Sequence, residues 1–419
     1  MLLLRALLSL VYLSVTSQVS AQTVAAPAAQ SRDSLSAMVT VVGTTVTPAL
    51  SGLARSELLA TQPMLLLRGG LGSGVIRYAA IANFERWTMP DGEAVAGSWG
   101  EGFMDRRHPH TVVHEAMLTV ALPVRGVEVS VAGGKGFIPF GTDDPMMRPF
   151  VKYPANHHLA QVMERIQVVA AMRVGRRVSL EGALFNGDEP LSATSAPQWN
   201  RFADSRAIRL SAWPMSKLEL QVSHARLRSP EFVRAEGLDH AKRSASARLA
   251  PRHGPLRYLL AEWARTTESY RGRALFSYGT ALVEATVQRA AWSVALRGEQ
   301  TSRPEEERLL DPFRTARPPN HLTIQGITRW HIATMQVMRA LPAVRALHAS
   351  GFAEISRAVS SPRLRPILLD PRNISGSDRA WHLSLGVRAG IGGMPSRIGR
   401  YGAAIPTVVE GVPGVPGHH

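Results

Sequence analysis

The feature that most constrains this chain is a two-residue rhythm that recurs from about residue 63 almost to the C-terminus. Val127, Val129 and Val131 alternate with Glu128, Ser130 and Ala132, and Leu218, Leu220 and Val222 with Lys217, Glu219, Gln221 and Ser223. Trp292, Val294 and Leu296 oppose Ala291, Ser293, Ala295 and Arg297; Trp381, Leu383, Leu385 and Val387 oppose His382, Ser384, Gly386 and Arg388. Successive side chains of a strand point to opposite faces, so each run has one apolar face and one polar or small face. The rhythm predicts about sixteen strands, at 63–70, 74–84, 111–122, 126–134, 161–173, 177–185, 206–213, 217–226, 241–249, 257–265, 274–287, 290–298, 321–332, 343–355, 380–389 and 396–401.

A soluble sandwich would also alternate, so the connections decide. Strands come mostly in pairs joined by short turns, as at 122–126 and 173–177. The pairs are separated by longer polar connectors at 134–160, 186–205, 226–240 and 299–320. Short turns at one end, long loops at the other, and runs near ten residues are what a membrane barrel requires. After residue 22 there is no run of ~18 apolar residues that could cross as a helix. The fold expected is therefore all-β, a transmembrane antiparallel β-barrel of about sixteen strands within a range of 12–18.

The N-terminus fits export. Met1-Leu-Leu-Leu-Arg5, an apolar stretch from Ala6 to Val15 and small residues at Val19-Ser20-Ala21 read as a signal peptide over 1–21. With no cysteine in the chain, acylation at the cleavage site is excluded, and so is a disulfide framework. Residues 22–60, rich in Ala, Ser, Thr and Gln, read as a flexible lead-in, 61–402 as the barrel and 403–419 as a tail. A closing strand would end at Tyr401.

The segment Gly134-Lys-Gly-Phe137-Ile-Pro139-Phe140-Gly141, with Leu184-Phe-Asn-Gly187 further on, resembles the porins of Gram-negative outer membranes, especially the phosphate-selective type. The resemblance implies a pore of sixteen to eighteen strands, often a homotrimer, whose third loop folds inward as a constriction. The chain departs from that pattern in having only four lysines, at 135, 152, 217 and 242, and a non-aromatic C-terminus.

In the connector 134–160, and just beyond it, Lys135, Asp143, Asp144, Arg148, Lys152, His157, His158 and Arg165 are the candidates for a constriction, where close charges set ion selectivity. The alternative is a solvated external loop. Arg165, Arg173, Arg209, Arg297, Arg329 and Arg388 read as lumen-facing, and a ring of them would favour anions. The net charge of +16 also suits arginines facing lipid headgroups and lipopolysaccharide phosphates. Nucleic acid is not a partner for an exported barrel.

His108, His110, His114 and Glu115 have metal-binding chemistry, but alternation puts His114 and Glu115 on opposite faces, so no metal is assigned and no cofactor is expected. His382 and Ser384 share a face like the pair of an outer-membrane phospholipase, yet that face is the lumen, which argues against lipid hydrolysis. The function expected is passive diffusion of small ions or solutes through an outer-membrane channel with mild anion preference, not catalysis. The alternatives are a non-conducting structural or adhesive barrel, with loops such as 299–320 binding partners, and a barrel hydrolase.

Overall fold

The computed structural model describes residues 33–406, apart from 50–53, 72–73, 96–106, 143–144, 156, 197, 233, 252, 307–323, 365–369, 394 and 396. Sixteen antiparallel strands close into one barrel. They are β1 (Ser34–Thr47), β2 (Ser56–Leu71), β3 (Ile76–Asn83), β4 (Val113–Val124), β5 (Val127–Gly136), β6 (Arg165–Val174), β7 (Val178–Phe185) and β8 (Ser205–Met215), followed by β9 (Leu218–Leu227), β10 (Asp239–Leu249), β11 (Leu256–Tyr270), β12 (Arg273–Arg289), β13 (Trp292–Glu306), β14 (Ile324–Ala340), β15 (Leu347–Leu364) and β16 (Arg379–Ile391). Each pairs with its sequence neighbours, and β1 pairs with β16, from Ala37 opposite Ile391 to Thr47 opposite Trp381. Closure leaves no edge, so every strand has a hydrogen-bonding neighbour on both sides, as a backbone in hydrocarbon requires. No helix among the described residues is long and apolar enough to cross a membrane.

The wall follows the alternation. On β16, Trp381, Leu383, Leu385 and Val387 are exposed on the outside, while His382 and Ser384 are buried inside. The turns at one end are short. Arg125 and Gly126 both have positive φ, and so do Arg271 and Gly272 at the other end. That is the two-residue geometry whose twist matches the flanking strands, with glycine in the second place.

Two expectations change. Residues 34–47 are not lead-in but β1, and residues 56–60 begin β2, so the barrel runs from 34 to 391 rather than from 61 to 402. Residues 397–401 do not form the closing strand; β16 closes the barrel, and the chain then turns back into the lumen. The two errors offset each other in the count. The 299–320 connector also shortens: β13 continues to Glu306, which removes Glu299 from any external loop, and residues 307–323 lie outside the described ones.

Candidate functional site: a lumen crossed by the third loop and the C-terminal segment

Residues 137–164, the third long loop, leave β5 at the glycine-rich motif and cross the lumen. Gly134 and Gly141 have φ of 142° and 73°; a Cβ on either would strike the carbonyl oxygen of Ala116 or Ala160. The glycines are there because the backbone passes too close for a side chain. Phe137, Ile138 and Phe140 are buried inside the barrel, so the motif is the root of an inserted loop.

The far end of the loop is held by carboxylates on the opposite wall. Arg148 Nη2 lies 3.1 Å from Glu262 of β11 and Nη1 3.5 Å from Glu284 of β12. The Val151 and Lys152 amides each donate to Glu354 of β15 at 2.8 Å, and the Ala155 amide to Glu299 of β13 at 2.8 Å. Arg297 returns a hydrogen bond to the Lys152 carbonyl, 2.8 Å, and lies 3.2 Å from Glu299. Burial pulls the Lys152 ammonium down to about 8, with Glu299 opposing and Arg297 reinforcing that fall. Lys152 is thus a cation whose charge is lost just above neutral pH.

The loop's two ends carry separate groups of candidates. Arg148 and Lys152 sit against β11–β15. Lys135 and Arg165 sit at its root, where Lys135 Nζ donates to Thr111 Oγ1 (2.6 Å) and Arg165 lies 3.2 Å from Glu189. Lys135, Glu164, Asp188 and Glu189 border a polar cavity of about 150 Å³. Asp143 and Asp144 lie outside the described residues; His157 and His158 begin a one-turn helix, with only their backbone described.

The second loop adds a buried network. Glu85 accepts hydrogen bonds from Thr61 Oγ1 (2.9 Å), the Gln62 amide (2.9 Å), Arg107 and His110 Nδ1 (2.9 Å). Its burial favours the neutral acid, but Arg107 and His110 hold the carboxyl well below its ordinary range. The Arg107 guanidinium stacks 4.4 Å from the Tyr153 ring centre, which couples this loop to the third. His114 and Glu115 do not point to opposite faces. The register slips between Ile81 and Ala82, opposite this pair, and both side chains are buried. A bulge of this kind re-aims a side chain. The histidines go to different carboxylates, His110 to Glu85 and His114 to Glu164 at 2.7 Å. A grouping not foreseen from the spacing is Glu231, His240 and Glu268, whose ligand atoms lie within 4.8 Å of one another.

The largest departure is the C-terminal segment. Arg397 Nη1 and Nη2 donate to the two oxygens of Glu219 at 2.7 and 3.0 Å, and Arg400 Nη2 donates to Glu219 Oε1 at 2.9 Å. Tyr401 accepts from the Phe137 amide and donates to Glu115, both 3.0 Å. Ala403 N donates to Ser130 Oγ at 2.8 Å, and Arg173 binds the Ile405 carbonyl. Ile398, Tyr401, Ala403 and Ala404 are buried. Gly136 makes room: a Cβ there would lie 2.4 Å from the Tyr401 hydroxyl. The segment enters from the short-turn end and occupies the lumen beside β2–β9.

Sequence reasoning found the basic side of this interior and missed the acidic side. Glu181, Glu219, Glu262, Glu284 and Glu354 were visible as acids on the polar face of alternating runs. Glu219, Glu262 and Glu354 meet partners 178, 114 and 203 residues away, which nothing local names, whereas Glu181 and Glu284 also face Arg209 and Arg297 on the next strand.

No protein-family model matches the sequence, and no curated protein matches it. Solved structures do. An anion-selective porin from Comamonas acidovorans superposes with a TM-score of 0.50 at 11% identity, covering 86% of this chain and all of that one. The trimer form of OmpT, an outer membrane protein of Vibrio cholerae, gives 0.47 at 8%, covering 86% of this chain and 99% of that one. A porin refined at 1.8 Å gives 0.44 at 9%, covering 86% and 100%. Identities this low speak for architecture alone, and that architecture, a closed sixteen-stranded antiparallel barrel, is the fold of an outer-membrane porin.

Proposed function

We propose that this protein is a porin-like channel of the outer membrane through which small solutes diffuse passively, with a mild preference for anions. The observation that carries the reading is the third loop, which crosses the lumen and ends on the β11–β15 carboxylates. A barrel that only anchored or displayed loops would have no need of a fixed cross-piece. The preference is mild because Arg148, Arg165, Arg173, Arg209 and Arg297 each lie against a glutamate, which cancels most of their field. A homotrimer is the assembly that goes with this reading.

Single-channel recording of the purified, heat-modifiable protein in a planar bilayer tests it. Stable steps with an anion-biased reversal potential in a KCl gradient are expected. A folded barrel without steps would overturn the open-channel reading.

The C-terminal segment favours a second reading, a barrel closed at rest. Its arginines, tyrosine and alanines pack as an interior does, and a chain shortened after residue 391 would then conduct where the full chain does not. Neither reading includes catalysis. Ser384 Oγ lies 3.0 Å from Thr44 Oγ1 on the lumen face, remote from lipid, and Ser384→Ala is expected to leave lipid hydrolysis at background.

A further inference from the structure

On the outside of the barrel, four neighbouring strands carry cations in their loop-side halves. Arg206 of β8 lies opposite Arg226 of β9. One row nearer the turns, His224 of β9 lies opposite Arg243 of β10, and Arg243 opposite Arg265 of β11. The four arginines are exposed and His224 half-exposed. Side chains directly opposite in an antiparallel pair have Cβ atoms about 5 Å apart, and like charges so placed repel. Among the described residues none of these arginines meets a carboxylate; Arg265 Nε donates to Ser277 Oγ at 2.9 Å.

Below the cations, towards the turn end of the same strands, the outer wall turns apolar and hollow. Outward positions of β10 are the small Ala245 and Ala247, between Leu220 and Val222 on one side and Trp263 on the other. They line the floor of an open groove of about 620 Å³ that extends to Val283 of β12. That volume is in the range of ligand sites. Small residues on one strand flanked by large ones on both neighbours make a trough rather than a flat wall.

We propose that this face binds one membrane lipid with a phosphorylated headgroup, its phosphate among Arg226, Arg243 and Arg265 and an acyl chain in the Ala245–Ala247 trough. Repulsion within the rows supplies the demand for an anion, and guanidinium forks suit phosphate oxygens. The trough selects a lipid over a soluble anion, since it needs an apolar tail directly below the charge. Arginine on the lipid side is tolerated near the interface and costly at mid-depth, so the rows belong where headgroups are. This inference rests on placing the barrel in a membrane, which heat-modifiability and vesicle insertion check separately.

The test uses the full chain in zwitterionic detergent and in phosphatidylcholine vesicles, with lipids brominated on the acyl chain. Trp263 in the trough makes fluorescence quenching the readout, with Trp263→Phe to isolate its share. Quenching by brominated phosphatidic acid or a diphosphorylated lipid A is expected to saturate at mole fractions about tenfold below those for brominated phosphatidylcholine, since each charge-assisted bond supports a change of that order. Arg226→Gln with Arg243→Gln and Arg265→Gln removes that difference. Ala245→Leu with Ala247→Leu, which keeps every charge, weakens the phosphorylated lipid but not inorganic phosphate. Equal binding of the two lipid classes by the unaltered protein would overturn the proposal. Displacement of the lipid by inorganic phosphate at the same concentration would also overturn it, in favour of a soluble-anion site. Should the triple variant fail to fold, the trough variant alone decides, because unchanged affinity there refutes the acyl-chain half.

Discussion

Two arginines three residues apart on β8 live by different rules. Arg209 points into the lumen and lays its guanidinium across Glu181, with Nε and Nη2 each 2.6 Å from a carboxylate oxygen. It also reaches the carbonyls of Gly141 in the third loop and Gly399 in the C-terminal segment, at 3.3 and 3.4 Å. Arg206 points out and faces Arg226, with no carboxylate beside it. Inside, Arg148, Arg165, Arg173, Arg209, Arg297, Arg397 and Arg400 each lie against a glutamate of the same chain. Outside, the cations repel one another and depend on an anion that the chain does not supply. The net charge of +16 therefore overstates what a solute in the lumen would feel.

The difference is sharpest where one carboxylate serves two interior arginines. Glu219→Gln takes the shared carboxylate from Arg397 and Arg400, leaving Arg400 with Glu181 at 3.9 Å, and removing one member of a buried pair costs about 3–5 kcal/mol. Because that cost falls on a docked segment rather than on the wall, the segment undocks while the barrel stays closed. Conductance is expected to rise several-fold in single-channel recording, with heat-modifiability retained. Gly136→Leu, which places a side chain where the Tyr401 hydroxyl sits, is expected to do the same by shape alone. Unchanged conductance in both would mean that the segment does not limit passage.

Next in size is the wall itself. Arg209→Met takes from Glu181 both of its 2.6 Å hydrogen bonds, leaving Arg400 at 3.9 Å, and is expected to destabilise the barrel by roughly 3 kcal/mol, read as a lower unfolding midpoint in denaturant. Adding Glu181→Leu should recover most of the loss, because an apolar pair of similar volume has no charge to strand and Arg400, 3.9 Å from Glu181, keeps Glu219 at 2.9 Å. If the double variant is no better than the single, the pair is more than two matched charges.

How much of this was legible follows from what is local. The inside-outside choice on β9, β13 and β16 was, because period two states it residue by residue. Strand ends were not: the run 257–265 stops where the outward face stops being apolar, whereas β11 pairs on through Thr267 and Ser269 to Tyr270. Apolar alternation marks where a strand can meet lipid, and hydrogen bonding carries it further. β1 was hidden because its inward face mixes Ser36, Met38, Thr40, Val42 and Thr44, so neither face is polar and the composition resembles a linker. Residues 397–401 had the opposite defect, with Ile398 and Tyr401 spaced like core residues because they are buried, though against β2–β9 rather than in the sheet. The Glu219–Arg397 pair spans 178 residues of sequence, and only closure of the barrel brings it together.

Lys152 offers a smaller interior effect. Its folded-state value near 8 lies below that of a free lysine, so the third loop carries the charge at pH 7 and loses it by pH 9. The anion bias of the reversal potential should fall as pH rises through 8, and Lys152→Met should flatten that profile at the high-pH level. The linkage has a definite sign: between about 8 and the free value near 10.4 the unfolded chain holds more protons, so stability rises with pH across that window. A bias that strengthens with pH would refute the assignment.

The smallest effect belongs to the outer face, and its smallness is the informative part. Arg243 faces His224 and Arg265 across the sheet and has no partner to strand, so Arg243→Gln removes repulsion without leaving a buried charge. In zwitterionic detergent the change should lie within about 0.5 kcal/mol and lean towards stabilisation. In the presence of a phosphorylated lipid the sign should reverse, because a ligand that binds only the folded barrel stabilises it in proportion to its affinity, and the variant binds less. The same substitution would then be neutral or helpful in one solvent and harmful in another. Arg209 cannot behave that way, since its counter-charge Glu181 is covalently part of the chain. A loss in detergent comparable to that of Arg209→Met would erase the distinction between the two faces.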